Sequence, residues 1–100
     1  MKNIRPRLEH EIMDILRKHG FKLNLKGTFF LEFAVIEWIK GNRKLDAIYA
    51  KAAKAFNTTI SNVERCSRYS IKTSHSHSDA KHTASTVIAE IAHEVEGMYI

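Results

Sequence analysis

Residues 49–72 read YAKAAKAFNTTISNVERCSRYSIK, two helical patterns meeting at Asn57, Thr58 and Thr59. Before the break, residues 44–56 are rich in alanine, and Leu45, Ile48, Ala52 and Phe56 recur on one helical face. The helical pattern resumes at Ile60 and runs to about Thr73. Asparagine is one of the few residues that tolerate a left-handed backbone, so Asn57 is expected to make the sharp turn. Two helices joined by so short a polar break have the layout of a helix-turn-helix. In that layout Ala53 is small where the helices approach, Phe56 is a core anchor before the turn, and Val63 and Cys66 are apolar positions of the second helix.

Turning Ile60, Val63, Cys66 or Ser67, and Ile71 inward leaves Ser61, Asn62, Glu64, Arg65, Arg68, Tyr69 and Lys72 outward. This set suits the reading of DNA bases. Arginine bridges two acceptors on a guanine edge, asparagine pairs with adenine, and glutamate accepts from a cytosine amino group. Ser61, Asn62, Glu64, Arg65 and Arg68 are therefore the candidate base readers. Lys51, Lys54, Thr58, Thr59, Tyr69 and Lys72 border them and are candidates for holding the phosphate backbone, which fixes register without reading sequence. Competing local roles exist: Ser61 and Glu64 have the spacing of a capping box, and Glu64 and Arg68 that of an i, i+4 ion pair.

Outward from this unit, the chain reads as further helices. Residues 28–40 are apolar on several sides, which marks the central helix of a core; Thr28 would cap its start, and Gly41 with Asn42 would end it. Residues 6–19 place Leu8, Ile12, Ile15 and Leu16 on one face, with Pro6 in the first turn, Arg17 and Lys18 in the last, and Gly20 as the stop. Residues 84–96 place Val87, Ile88, Ile91, Ala92 and Val95 together and end at Gly97. Residues 73–83, TSHSHSDAKHT, lack periodicity and read as a polar connection. The expectation is one all-α domain of five to six helices over residues 1–100.

The net charge of +5 is unevenly spread: residues 83–100 hold no lysine or arginine but contain Glu90, Glu94 and Glu96. The basic excess therefore belongs to the body of the domain and favours a polyanion as partner. One cysteine, Cys66, excludes an internal disulfide framework and a cysteine-based zinc site. No signal-peptide core or bilayer-spanning run is present, so a soluble, cytoplasmic protein without membrane contact is expected. His75, His77 and His82 with Asp79 could hold a metal, but a polar linker is the better reading. Neither a glycine-rich phosphate loop nor a nucleophile elbow occurs, and no enzyme, cofactor or metal is expected.

The run FNTTISNVERCSRYSIK, with IYAKAAKA before it, resembles the C-terminal DNA-binding effector domain of the stage-zero sporulation response regulators of endospore-forming bacteria. KGTFFLEFAVIEWI is similar to that family's second helix and TASTVIAEIAHEVE to its last. The resemblance implies a bacterial transcription factor domain of about six helices. Its recognition helix would enter the major groove of double-stranded DNA at a short promoter box, as a homodimer or in tandem copies. Ser61, Glu64, Arg65 and Arg68 match the family's motif, whereas Asn62 stands where the family commonly has a basic residue. Full-length members carry a phosphate-accepting receiver domain ahead of this unit, and a chain starting at Met1 is expected to lack it. The alternative is a protein-interaction module that pairs with a related response regulator and modulates it without binding DNA.

Overall fold

Left-handed backbone at Gly20, Gly41 and Asn57 ends three of the helices. The computed structural model describes residues 5–74 and 83–97. These form α1 (Arg5–Lys18), α2 (Lys26–Ile39), α3 (Leu45–Ala55), α4 (Ile60–Thr73) and α5 (Ala84–Gly97). No strand occurs among the described residues. The all-α expectation holds with five helices; the connection bearing His75, His77, Asp79 and His82 lies outside the described residues.

Each left-handed residue completes the same pair of bonds. After α1, Gly20 N donates to the Arg17 carbonyl and Phe21 N to that of Leu16, both at 3.0 Å. After α2, Gly41 N donates to Trp38 and Asn42 N to Glu37, again at 3.0 Å. After α3, Asn57 N reaches Lys54 at 3.3 Å and Thr58 N reaches Ala53 at 2.8 Å. Carbonyls that a helix end would leave orphaned are satisfied, and the chain is turned sharply in each case.

A helix that is apolar on several sides needs neighbours on several sides. Accordingly α2 packs against each of the other four helices. Its Phe30, Leu31, Ala34, Val35 and Ile36 meet Ile12, Ile15 and Leu16 of α1 and Val87, Ile88, Ile91, Ala92 and Val95 of α5 in one buried cluster. Ile48, Tyr49, Ala52 and Ala53 of α3 and Val63 and Ile71 of α4 join it, so the helix-turn-helix is seated on the core. Burying a large aliphatic side chain of this kind is worth about 1.5–3 kcal/mol. At the other end, His19 Nε2 lies 2.9 Å from Glu94 Oε1 and ties the end of α1 to α5.

The start of α2 differs from expectation. It begins at Lys26, and Leu25 in the capping position offers no side-chain cap. Thr28 is instead buried, its Oγ1 donating to the Lys22 carbonyl at 2.7 Å and meeting Ser70 Oγ of α4 at 2.6 Å. A hydroxyl has one proton to give, so Ser70 is the donor in the second bond. One residue earlier, a Cβ on Gly27 would stand 1.9 Å from the Cys66 carbonyl oxygen and 2.9 Å from Ser70 Cβ. Only glycine lets α2 approach the backbone of α4 this closely.

Two apolar expectations are also corrected. Phe56 is 45% exposed and is not a core anchor; it instead makes T-shaped contacts with Phe30 and Phe33, with ring centroids 5.2 Å and 5.9 Å away. Ile60 is 50% exposed because the first turn of α4 projects past the core that covers Val63 and Ile71.

Candidate nucleic-acid interface

Positioning of α4 begins at Asn57, whose φ of 55° reverses the chain. Thr59 then takes an extended conformation and its Oγ1 accepts from Asn62 N at 3.1 Å, capping the helix. The capping box read between Ser61 and Glu64 does not form, because the cap lies two positions earlier and Ser61 already belongs to the helix. Glu64 is thereby left for its other local role. Its Oε1 accepts from Arg68 at 2.9 Å.

At about 100° per residue, the buried set Val63, Ser67, Ser70 and Ile71 fixes what α4 shows to solvent. Arg65 and Lys72 point most directly away from the core, with Ser61 beside them. Glu64 and Arg68 lean toward α3, where the charges of both reach the buried Tyr49 hydroxyl. Burial raises the pKa of that hydroxyl; the neighbouring Ser67 and Arg68 oppose the rise and Glu64 adds to it. Ser67 Oγ is fully buried beside the phenol.

On the opposite flank, Asn62 is half-buried and turned toward the N-terminal end of α2. Its Nδ2 donates to Thr58 Oγ1 at 2.9 Å, and its Oδ1 lies 3.5 Å from Arg65 Nη2 and 3.6 Å from Cys66 Sγ. Asn62 therefore braces the turn and steadies Arg65 as well as facing outward. Cys66 is half-buried behind it. Together with Asn57, Thr58 and Lys26, Asn62 lines an open cleft of about 300 Å³ whose other walls are phenylalanines.

The candidate phosphate contacts are not equivalent. Lys54, Tyr69 and Lys72 are exposed, with Lys54 and Lys72 making no ion pair to a described residue. Lys51 is tied to a carboxylate that the sequence pattern did not single out: Nζ lies 2.8 Å from Oε1 of Glu37, and Lys40 stands 3.5 Å from the same group. Burial would push the Glu37 carboxyl up, but the Lys51 hydrogen bond and the charges of Lys40 and Lys51 outweigh it and hold the group below its ordinary value. Thr58 and Thr59 each accept a bond through Oγ1, which leaves both hydroxyl protons free to be donated outward.

Gly27, Ser70 and Glu37 are positioning residues that the local pattern did not mark, and Thr28, which it marked as a cap, is a fourth. Their partners lie far away in sequence, and only the approach of α2 to α4 and α3 brings them together. Among the described residues no group of three histidine, cysteine or acidic side chains is placed to hold a metal, and no helix is long and apolar enough to cross a membrane.

The sequence model of the family described as "Sporulation initiation factor Spo0A C terminal" matches residues 12–97. The match takes in α2, α3, α4 and α5 whole and α1 from Ile12 onward. It thus covers the helix-turn-helix, the core beneath it and the close contact of α2 with α4, and the chain belongs to the family of Spo0A C-terminal domains.

Proposed function

We propose that this domain is a sequence-specific regulator of transcription that reads double-stranded DNA by placing α4 in the major groove. The family is that of the DNA-binding effector domain of a sporulation regulator, which supports the class of partner. The observation that carries the reading is the outward face of α4. Ser61, Arg65, Arg68 and Lys72 stand exposed on a helix anchored from behind by Val63, Ser70 and Ile71.

In this reading Arg65 is the principal base reader, since it points outward and its only partner among the described residues is the weak contact to Asn62 at 3.5 Å. Arg68 acts beside it after leaving Glu64, an exchange that costs little because exposed pairs of this kind contribute about 0.3–0.5 kcal/mol. Glu64, once released, can accept from a cytosine amino group, and Ser61 serves either kind of edge. Asn62 has one Nδ2 proton spent on Thr58 and its Oδ1 turned to Arg65 and Cys66, so its larger part is to orient Arg65. Thr58, Thr59, Lys54, Tyr69 and Lys72 hold phosphates, and Lys51 does so only in exchange for Glu37.

Selection from random duplexes tests the proposal. Enrichment of one short box, bound with an affinity that falls steeply as salt rises, is expected. Failure of any box to enrich, with weak binding that is insensitive to sequence, overturns it. A protected footprint long enough for two adjacent boxes is the outcome expected if tandem copies bind, as the family resemblance implies.

A further inference from the structure

Lys22 and Lys26 stand in and just after the α1–α2 turn, outside the helix-turn-helix, and neither forms an ion pair with a described residue. Buried chemistry fixes their place. Thr28 Oγ1 holds the Lys22 carbonyl at 2.7 Å and Ser70 Oγ at 2.6 Å, while Gly27 lies against the Cys66 carbonyl. The turn is thereby clamped along one flank of α4, from Asn62 to Ser70. Lys26 shares the walls of the cleft with Asn57, Thr58 and Asn62, beside the first turn of the helix.

A helix with side chains is about 10–12 Å across and the major groove about 12 Å wide, so an inserted helix has phosphates along both flanks. On its α3 side α4 is bordered by Lys54. On its α2 side the bordering cations are Lys26 and Lys22. Thr58, whose Oγ1 accepts from Asn62, has its own proton left to donate beside Lys26. An exposed lysine and a threonine with an unspent hydroxyl proton, lining one cleft at the start of a reading helix, match one phosphate group of a nucleic-acid backbone.

We propose that Lys26, with Lys22 as a second and more distant charge, binds backbone phosphate on the α2 side of the groove, so that the domain grips both phosphate ridges flanking α4. The inference rests on the DNA reading given above. It extends the interface beyond the helix-turn-helix to the α1–α2 turn.

Binding of the selected box and of an unrelated duplex is measured across salt for the wild type, Lys26→Ala, the Lys22→Ala/Lys26→Ala double variant and Lys18→Ala. Lys18 serves as the charge control because it sits 3.8 Å from Glu94 at the α1–α5 end. Each phosphate contact removed makes the slope of log affinity against log salt about 0.9 shallower, so each loss is about 3.5-fold larger at 50 mM than at 200 mM salt. The double variant should show this on both duplexes, Lys26→Arg should restore the slope, and Lys18→Ala should leave it unchanged. A wild-type slope in the double variant, or an equal change in Lys18→Ala, overturns the proposal while leaving the DNA reading intact. Absence of any wild-type binding removes the DNA reading and this inference with it.

Discussion

Replacing Gly27 by alanine tests the packing that sets α4 in place. In an ordinary helix this change stabilises by up to about 1 kcal/mol, because glycine is the poorer helix former. Here the added methyl would lie 1.9 Å from the Cys66 carbonyl oxygen, where carbon atoms essentially never come closer than 3.0 Å. Relief requires α2 and α4 to part by about 1.1 Å, the difference between those two distances. A shift of that size stretches the buried Thr28–Ser70 bond from 2.6 Å beyond hydrogen-bonding range. Overpacking costs about 1–3 kcal/mol and a buried polar group left without its partner about 1–3 kcal/mol, which together exceed the propensity gain. A net loss near 2 kcal/mol lowers the melting temperature of a domain this size by about 8–16 °C. Thermal unfolding followed by circular dichroism reads the effect directly. A melting temperature equal to or above that of the wild type would refute the close approach of α2 to α4.

Asn57→Ala should destabilise by about 1 kcal/mol because alanine keeps the Cβ that opposes left-handed backbone and loses the polar side chain that offsets it, whereas Asn57→Gly should be close to neutral; both variants lack the amide, so urea titration of the pair isolates the backbone effect. Thr59→Ala removes the cap of α4 and should cost about 1 kcal/mol, with faster amide exchange at Asn62 than in the wild type. Glu37→Gln should cost about 1 kcal/mol at neutral pH by weakening the hold on Lys51 and Lys40. Because the folded carboxyl titrates below its ordinary value of 4.5, its contribution is complete above that pH and disappears as pH falls through the folded value. Wild type should therefore lose stability below pH 4.5 more steeply than Glu37→Gln, and parallel pH profiles would contradict the assignment.

Local chemistry was enough to locate the helix ends at Gly20, Gly41 and Asn57. A left-handed residue is needed there, and few residue types accept that geometry. The buried faces of α1 and α5 were legible for a similar reason, since apolar spacing at helical period has one common cause. Thr28 shows where such reasoning stops. Placed just ahead of an apolar run it has the pattern of a cap, and only its distance from Ser70 reveals a buried cross-link. Phe56 and Ile60 are apolar residues beside a turn, and their exposure depends on how far α4 projects beyond the core. At the interface, the outward row of Ser61, Arg65, Arg68 and Lys72 followed from periodicity alone. The Lys51–Glu37 bond did not, because it depends on how α3 packs on α2, nor did Asn62–Thr58, which depends on the conformation of the turn that leads into α4.

The central claim, that the outward face of α4 reads bases, is tested most directly by comparing wild type and Arg65→Ala on the selected box and on unrelated DNA at one salt concentration. Loss of a bidentate contact to a base should weaken binding to the box by about 1–3 kcal/mol, relax preference at one base pair, and leave binding to unrelated DNA nearly unchanged. Equal losses on the two duplexes would show that Arg65 holds phosphate only, and no loss on either would contradict the placement of α4 in the groove.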